Sequence, residues 1–139
     1  IGMPGAGDPD NRRPMRFDHE LSANESWLWQ RVGRLGRLRR ANEALRRGTR
    51  TDLVRRKDQI AYALSHGQDT VLLALNRSSQ AVRMELELPK GSRPDDENEE
   101  NVLVDCFGLP LENAKGIISF VLPPLDAAVI TTKGACDAI

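Results

Sequence analysis

Between residues 28 and 45 the apolar side chains Leu28, Val32, Leu35, Leu38, Ala41 and Leu45 recur at steps of three or four, and arginines fill most of the gaps. That spacing describes one face of an α-helix. Ser22 with Glu25 three positions later (S-A-N-E) is a capping box and sets the helix start. Trp27 and Trp29 flank the stripe near its beginning. Gly33 and Gly36 each weaken a helix by about 1 kcal/mol relative to alanine. Such a pair points to close approach of a neighbouring element. The helix is expected to loosen near Asn42, to make one more turn through Ala44 and Leu45, and to stop at Gly48.

After Gly48 the reading changes to strands. They are expected at 51–56, 59–65, 70–76, 82–88, 102–107, 116–122 and 127–132. His66-Gly67-Gln68-Asp69 reads as a hairpin loop between the second and third, and Pro123-Pro124 separates the last two. In the fourth, Val82, Met84, Leu86 and Leu88 alternate with Arg83, Glu85 and Glu87, as on a half-buried strand. Residues 90–101 are polar, acidic and carry Gly and Pro, which predicts a surface loop or insert. Short strands joined by turns, with no second helix, predict an antiparallel sandwich or Greek-key module. Such a module can bury its own core. A stripe bearing two tryptophans needs a cover, and the rest of a domain is expected to supply it.

The segment before the helix, IGMPGAGDPDNRRPM, is a loop: Gly2, Pro4, Gly5, Gly7 and Pro9 disfavour helix and central strand alike. Asp8, Asp10, Asn11, Arg12 and Arg13 make it a candidate for ligand contact. The alternative is a polar turn whose side chains bond its own backbone. Asp8 and Asp10 are not expected to act as a catalytic pair, because an open loop has no pocket to raise one pKa.

The 139 residues hold 20 basic and 20 acidic side chains, so no global field favours nucleic acid or membrane, and neither is an expected partner. Arginines crowd 31–56 with only Glu43 and Asp52 among them. This reads as the solvated side of a helix, since no aromatic residues are interleaved for base stacking. The apolar stretches are far too short to span a bilayer. His19 and His66 read as surface histidines. No phosphate loop or metal-ligand cluster is evident, and no cofactor is expected in this chain. Cys106 sits in an apolar strand pattern and is expected as a buried thiol, unpaired with Cys136 in the Gly/Ala tail.

The run GDPDNRRPM within 1–15 closely resembles one family, the α-amylase superfamily (glycoside hydrolase family 13), in its neopullulanase, cyclomaltodextrinase and bacterial α-amylase branches. There a similar Ile-Gly-Met, Gly-rich, Asp-Pro-Asp-Asn-Arg-Arg, Pro-Met stretch follows the eighth barrel strand. Two further stretches are similar: ALRRG (44–48), like the barrel exit, and LPPLDAAVI (122–130), like a closing strand of the β domain. The insert 90–101 matches no motif of the family.

The resemblance implies a fold: the C-terminal end of a (β/α)8 barrel, as loop plus last helix (1–48), then an all-β antiparallel Greek-key sandwich, domain C (49–133), and a tail (134–139). It also implies a function. The parent enzyme would act on α-glucan or maltooligosaccharide, by hydrolysis or transfer with retention, and calcium binds some members through earlier segments. Barrel active sites lie on loops at the strands' C-terminal ends. By motif, Asp8 and Arg12 are expected as the substrate-binding residues, on the donor side of the scissile bond; the alternative is that they pair with each other and only shape the loop. The catalytic carboxylates, about 5–5.5 Å apart in retaining enzymes, are expected upstream of Ile1, so the fragment alone is expected to be inactive. Three rivals stand beside this reading: a glucan-binding β module using Tyr62, Phe107 or Phe120; a nucleic-acid binder using the Arg-rich helix; and a non-catalytic relative such as a transporter heavy chain. The compartment stays open.

Overall fold

The computed structural model describes residues 5, 7–9, 11–89 and 102–137. They belong to two compact units, Ile1–Arg37 and Leu38–Ile139. Asp10, the insert 90–101 and the tail residues 138–139 lie outside the described residues.

The first unit holds the Gly/Pro loop, a 3-10 turn at Asp18–Glu20 and most of helix α1 (Ala23–Ala41). The capping box forms as expected. The Ser22 N–H donates to Glu25 Oε2 at 2.8 Å, and the Glu25 N–H to Ser22 Oγ at 3.4 Å. The apolar stripe finds no cover among the described residues: Trp27 is 59% exposed, Trp29 51% and Val32 51%, and Leu28 and Leu35 are also exposed. Among the described residues a Cβ on Gly36 would meet nothing within 4 Å and one on Gly33 only Arg37 Nη1 at 3.6 Å, so the close neighbour expected there is not found among them.

The second unit opens with the last turn of α1, where Leu38 is buried. The helix breaks at Asn42, resumes as α2 (Ala44–Arg47) and ends at Gly48, whose N–H donates to Ala44 C=O at 2.9 Å. Gly48 is required there by space: a Cβ would sit 3.0 Å from the Ala44 carbonyl carbon and 3.1 Å from Leu64 Cβ.

Eight strands follow: β1 (Thr49–Arg55), β2 (Gln59–His66), β3 (Asp69–Asn76), β4 (Val82–Glu87), β5 (Leu103–Asp105), β6 (Glu112–Ala114), β7 (Ile117–Leu122) and β8 (Asp126–Thr132). β6 was not expected from the sequence. It joins β7 through Lys115 and Gly116, both at positive φ, which suits a tight hairpin turn. All pairings are antiparallel, in a five-stranded sheet β1-β2-β3-β8-β5 and a three-stranded sheet β4-β7-β6.

The principal core lies between the sheets. The five-stranded sheet contributes mostly small residues, Ala61, Ala63, Ala74 and Ala128 with Leu72 and Ile130. The other sheet fills the space they leave with Met84, Leu86, Ile118, Phe120 and Leu122. The outer face of the five-stranded sheet carries a second core. Val71 and Val129 pack there with Leu38, Ala44, Cys106 and Cys136. Because β3 and β8 are buried on both faces, their sequences read as nearly unbroken apolar runs.

Two expectations need correction here. Cys106 and Cys136 are not free thiols: they form a disulfide, with Cα atoms 5.4 Å apart and 30 residues between them in sequence. Residues 134–137, expected as part of the tail, belong to a short helix α3 (Lys133–Asp137). Both errors share one cause. The long chain return places β5 and α3 on the same outer face, and no local signal reports that.

Asp105 organises this end of the sandwich. Its Oδ2 accepts the N–H groups of Phe107 (2.9 Å) and Leu109 (3.0 Å), and its Oδ1 accepts that of Val129 (2.8 Å). A buried carboxylate is thereby satisfied by three backbone donors.

Candidate functional site

The loop before α1 brings Asp8 and Arg12 together. The Arg12 Nε–H donates to Asp8 Oδ1 at 2.7 Å and Nη2–H to Oδ2 at 2.6 Å, a fork-to-fork pair. The turn between them is closed by the Arg12 N–H donating to Pro9 C=O at 2.9 Å, and the Asp8–Pro9 peptide is cis. Both side chains face solvent. An exposed pair contributes only about 0–1 kcal/mol, so it shapes the loop more than it stabilises the chain. A carboxylate has about four lone-pair sites and a guanidinium five N–H donors. Two of each are used here, and the rest stay available to a ligand.

Arg16 and Glu25, which the sequence reading did not single out as partners, anchor the end of the loop to the start of α1. Arg16 Nη2 bonds Glu25 Oε1, and Arg16 Nη1 lies 3.4 Å from Oε2. The Arg16 hydrogen bond, with help from the Ser22 backbone and hydroxyl, lowers the Glu25 pKa to about 2. The same hydrogen bond and charge raise the Arg16 pKa. Met15 and Phe17 flank this pair and are exposed. The first unit thus presents a polar turn, then Met15 and Phe17, then the bare side chains of α1.

The second unit offers less. A groove of about 290 Å³ is lined by Val54, Arg56, Arg83, Met84 and Glu85, residues of or beside the edge strands β1 and β4. It contains no aromatic ring, and Arg83 is already paired with Glu112 (3.1 Å) and Glu85 (3.6 Å). Of the three aromatics of the glucan-binding rival, Phe120 is buried and Tyr62 and Phe107 are half-buried. Phe120 is in the inner core and Phe107 packs on the outer one. The Arg50 guanidinium lies over the Tyr62 ring, 4.1 Å from its centroid.

The arginines are engaged locally. Arg50 pairs with Asp52 at 2.7 Å, Arg46 with Glu43 at 3.7 Å, Arg31 lies over the Trp27 ring at 5.4 Å, and Arg39 bonds the Leu45 carbonyl. His66 stands 3.5 Å from Glu43, and His19 belongs to the 3-10 turn. Among the described residues no group of three or more His, Cys, Asp or Glu is placed to hold a metal ion. Among the described residues no helix is long and apolar enough to cross a membrane.

No family model matches the chain. It is 36% identical over 95 residues to a cyclomaltodextrinase of Geobacillus thermopakistaniensis, a match covering 67% of this chain and 16% of that protein. It is 31% identical over 96 residues to a cyclomaltodextrin glucanotransferase of Bacillus sp., covering 66% of this chain and 13% of that protein. The chain therefore spans about a sixth or less of the length of these relatives. Among solved structures, the α-amylase of Geobacillus thermoleovorans in complex with acarbose superposes with a TM-score of 0.65 at 24% identity, over 89% of this chain and 26% of that one. The sequence likeness and the shared sandwich agree with the DPDNRR loop: this chain is a relative of the α-amylase superfamily, glycoside hydrolase family 13, and corresponds to a small part of its members.

Proposed function

We propose that this chain is the C-terminal part of a longer retaining α-glucan hydrolase or transglycosidase. In this reading residues 1–48 are the last loop and last helix of a (β/α)8 barrel, 49–133 are domain C, and 134–139 are the tail. The observation that carries it is the bare face of α1. Leu28, Val32 and Leu35 share one helical stripe and stand exposed, with exposed Trp27 and Trp29 flanking it, and exposed apolar surface of that kind marks an unfilled interface. The relatives are many times longer than this chain, which is room enough for the domain that would fill it.

In that assembly the loop carrying Asp8 and Arg12 lines the donor side of the active site. Asp8 accepts hydrogen bonds from glucose hydroxyls, and Arg12 donates to hydroxyl and ring oxygens, using the capacity their mutual pair leaves over. Pairing fixes both groups before the sugar arrives, so little side-chain freedom is lost on binding. The carboxylates that cleave the bond come from the upstream barrel. The domain C sandwich stabilises the barrel's end. The acarbose complex of the structural neighbour supports a maltooligosaccharide-like ligand for this reading.

The test uses maltoheptaose. The purified chain should release no glucose or maltose, whereas the longer protein should. In the longer protein Arg12→Ala should lower kcat/KM by about 5- to 150-fold, the equivalent of losing about 1–3 kcal/mol of polar contact. Turnover by the chain alone, or an Arg12→Ala enzyme with unchanged kinetics, overturns the proposal.

A further inference from the structure

Cavities, charge clusters and bare faces outside the loop return to the proposed assembly or to paired surface groups, but the disulfide does neither. We propose that Cys106–Cys136 is a redox clasp: it fastens α3 over the outer core, and its reduction frees α3 while the core between the two sheets stays folded. Two observations converge on it.

The first is how short α3 is. It is five residues long, contains Gly134, and Cys136 is its one buried side chain. Isolated helices shorter than about 12–15 residues are marginal in water. The Lys133 N–H donates to Val102 C=O at 2.8 Å, which ties the start of α3 to the strand region; α3 packs on β5 and β8, and the disulfide ties its later turn covalently. The second is where the clasp closes. Cys106 directly follows Asp105, whose carboxylate fixes the turn through Phe107 and Leu109, and the Cys106 N–H donates to Val129 C=O at 2.9 Å. One end of the bond is therefore rigid and the other is the short helix. Reduction acts on the helix end.

Closing the clasp removes two protons and two electrons from the thiols. A disulfide oxidant takes them up by exchange and leaves as a dithiol. Opening reverses this: a dithiol reductant's thiolate attacks one sulfur and the other leaves as thiolate; the reductant's second thiolate then attacks the mixed disulfide, releases the first sulfur as thiolate and closes the cyclic disulfide, and both protein thiolates take up protons. Both sulfurs lie within the outer core, so attack follows lifting of α3. The clasp closes where thiols are oxidised and stays open in a reducing cytosol.

The experiment is thiol titration and amide hydrogen exchange on this chain, prepared in an oxidising compartment, with and without dithiothreitol and without denaturant. The oxidised chain should show no titratable thiol, also in a separate control titration in denaturant. Dithiothreitol should release two thiols per chain and raise exchange at 133–137 on the order of a hundredfold, with β2 and β3 unchanged. Cys136→Ser should reproduce the reduced pattern without reductant. Two free thiols in the oxidised preparation overturn the proposal. So does unchanged exchange at 133–137 on reduction, or β2 and β3 loosening in step with α3.

Discussion

Leu28, Val32, Leu35 and Leu38 lie on one helical stripe of one helix, yet Val32 is 51% exposed and Leu38 is 1% exposed. Leu38 is enclosed by Val71, Cys106, Val129 and Cys136, all distant in sequence. Nothing among the described residues covers Val32 in the same way. A three-to-four repeat fixes which side of a helix is apolar, and it carries no information about what lies against that side. Each end of α1 therefore makes a separate statement: its last turn belongs to a finished core, and its earlier turns, in the proposed assembly, to an interface.

The largest contrast should be between Leu38→Ala and Val32→Ala. In this chain the first should cost about 2–5 kcal/mol, through lost burial and a residual cavity. The second should stay within about 0.5 kcal/mol, as at other exposed positions. Urea unfolding followed by circular dichroism measures both. In the longer protein Val32→Ala should rise to about 1–3 kcal/mol. Equal costs at both positions in the isolated chain would show that the stripe is already covered, and the proposed assembly would lose its main support.

Two substitutions probe the finished side alone. Asp105→Ala leaves the N–H groups of Phe107, Leu109 and Val129 without their acceptor and should cost about 1–3 kcal/mol. Gly48→Ala drives a methyl group against the Ala44 carbonyl and Leu64 and should cost about 1–3 kcal/mol by overpacking. Differential scanning calorimetry reads both as a lowered Tm. An unchanged Tm for Gly48→Ala would mean that the α2–β1 junction yields easily and is not part of the rigid core.

What the sequence disclosed follows the same division. β4 was legible because one face meets solvent, so Arg83, Glu85 and Glu87 alternate with Met84 and Leu86. The capping box and the break near Asn42 were legible because their chemistry is local. β6 (Glu112–Ala114) was missed because all three residues are exposed and carry no apolar alternation. α3 and the Cys106–Cys136 bond were missed because KGACD has no helical period and a 30-residue separation says nothing about proximity. In the loop, the chemistry of Asp8 and Arg12 was readable from residue type. Their fork-to-fork geometry required the turn at Pro9. The role of Arg16 was hidden because its partner is nine positions away.

The smallest effect separates the two ends of α1 by pH. The start of the helix is held by charge: Glu25 accepts from Arg16 and from Ser22, and its pKa falls to about 2. A carboxyl whose folded pKa is depressed contributes stability that is full above its ordinary value of 4.5 and fades as pH drops toward the folded value. The N-terminal turn of α1 should therefore fray between about pH 4.5 and 2, as a carboxyl NMR titration of Glu25 with a midpoint near 2 would show. Arg16→Ala should return that midpoint toward 4.5, and Glu25→Gln should remove the pH dependence of the turn. The end of the helix, where Leu38 is packed among apolar groups, should not change over the same range. If amide exchange at Leu38 and at Ser26 moved together on acidification, the two ends would be a single cooperative unit, and the division between finished core and open interface would have to be redrawn.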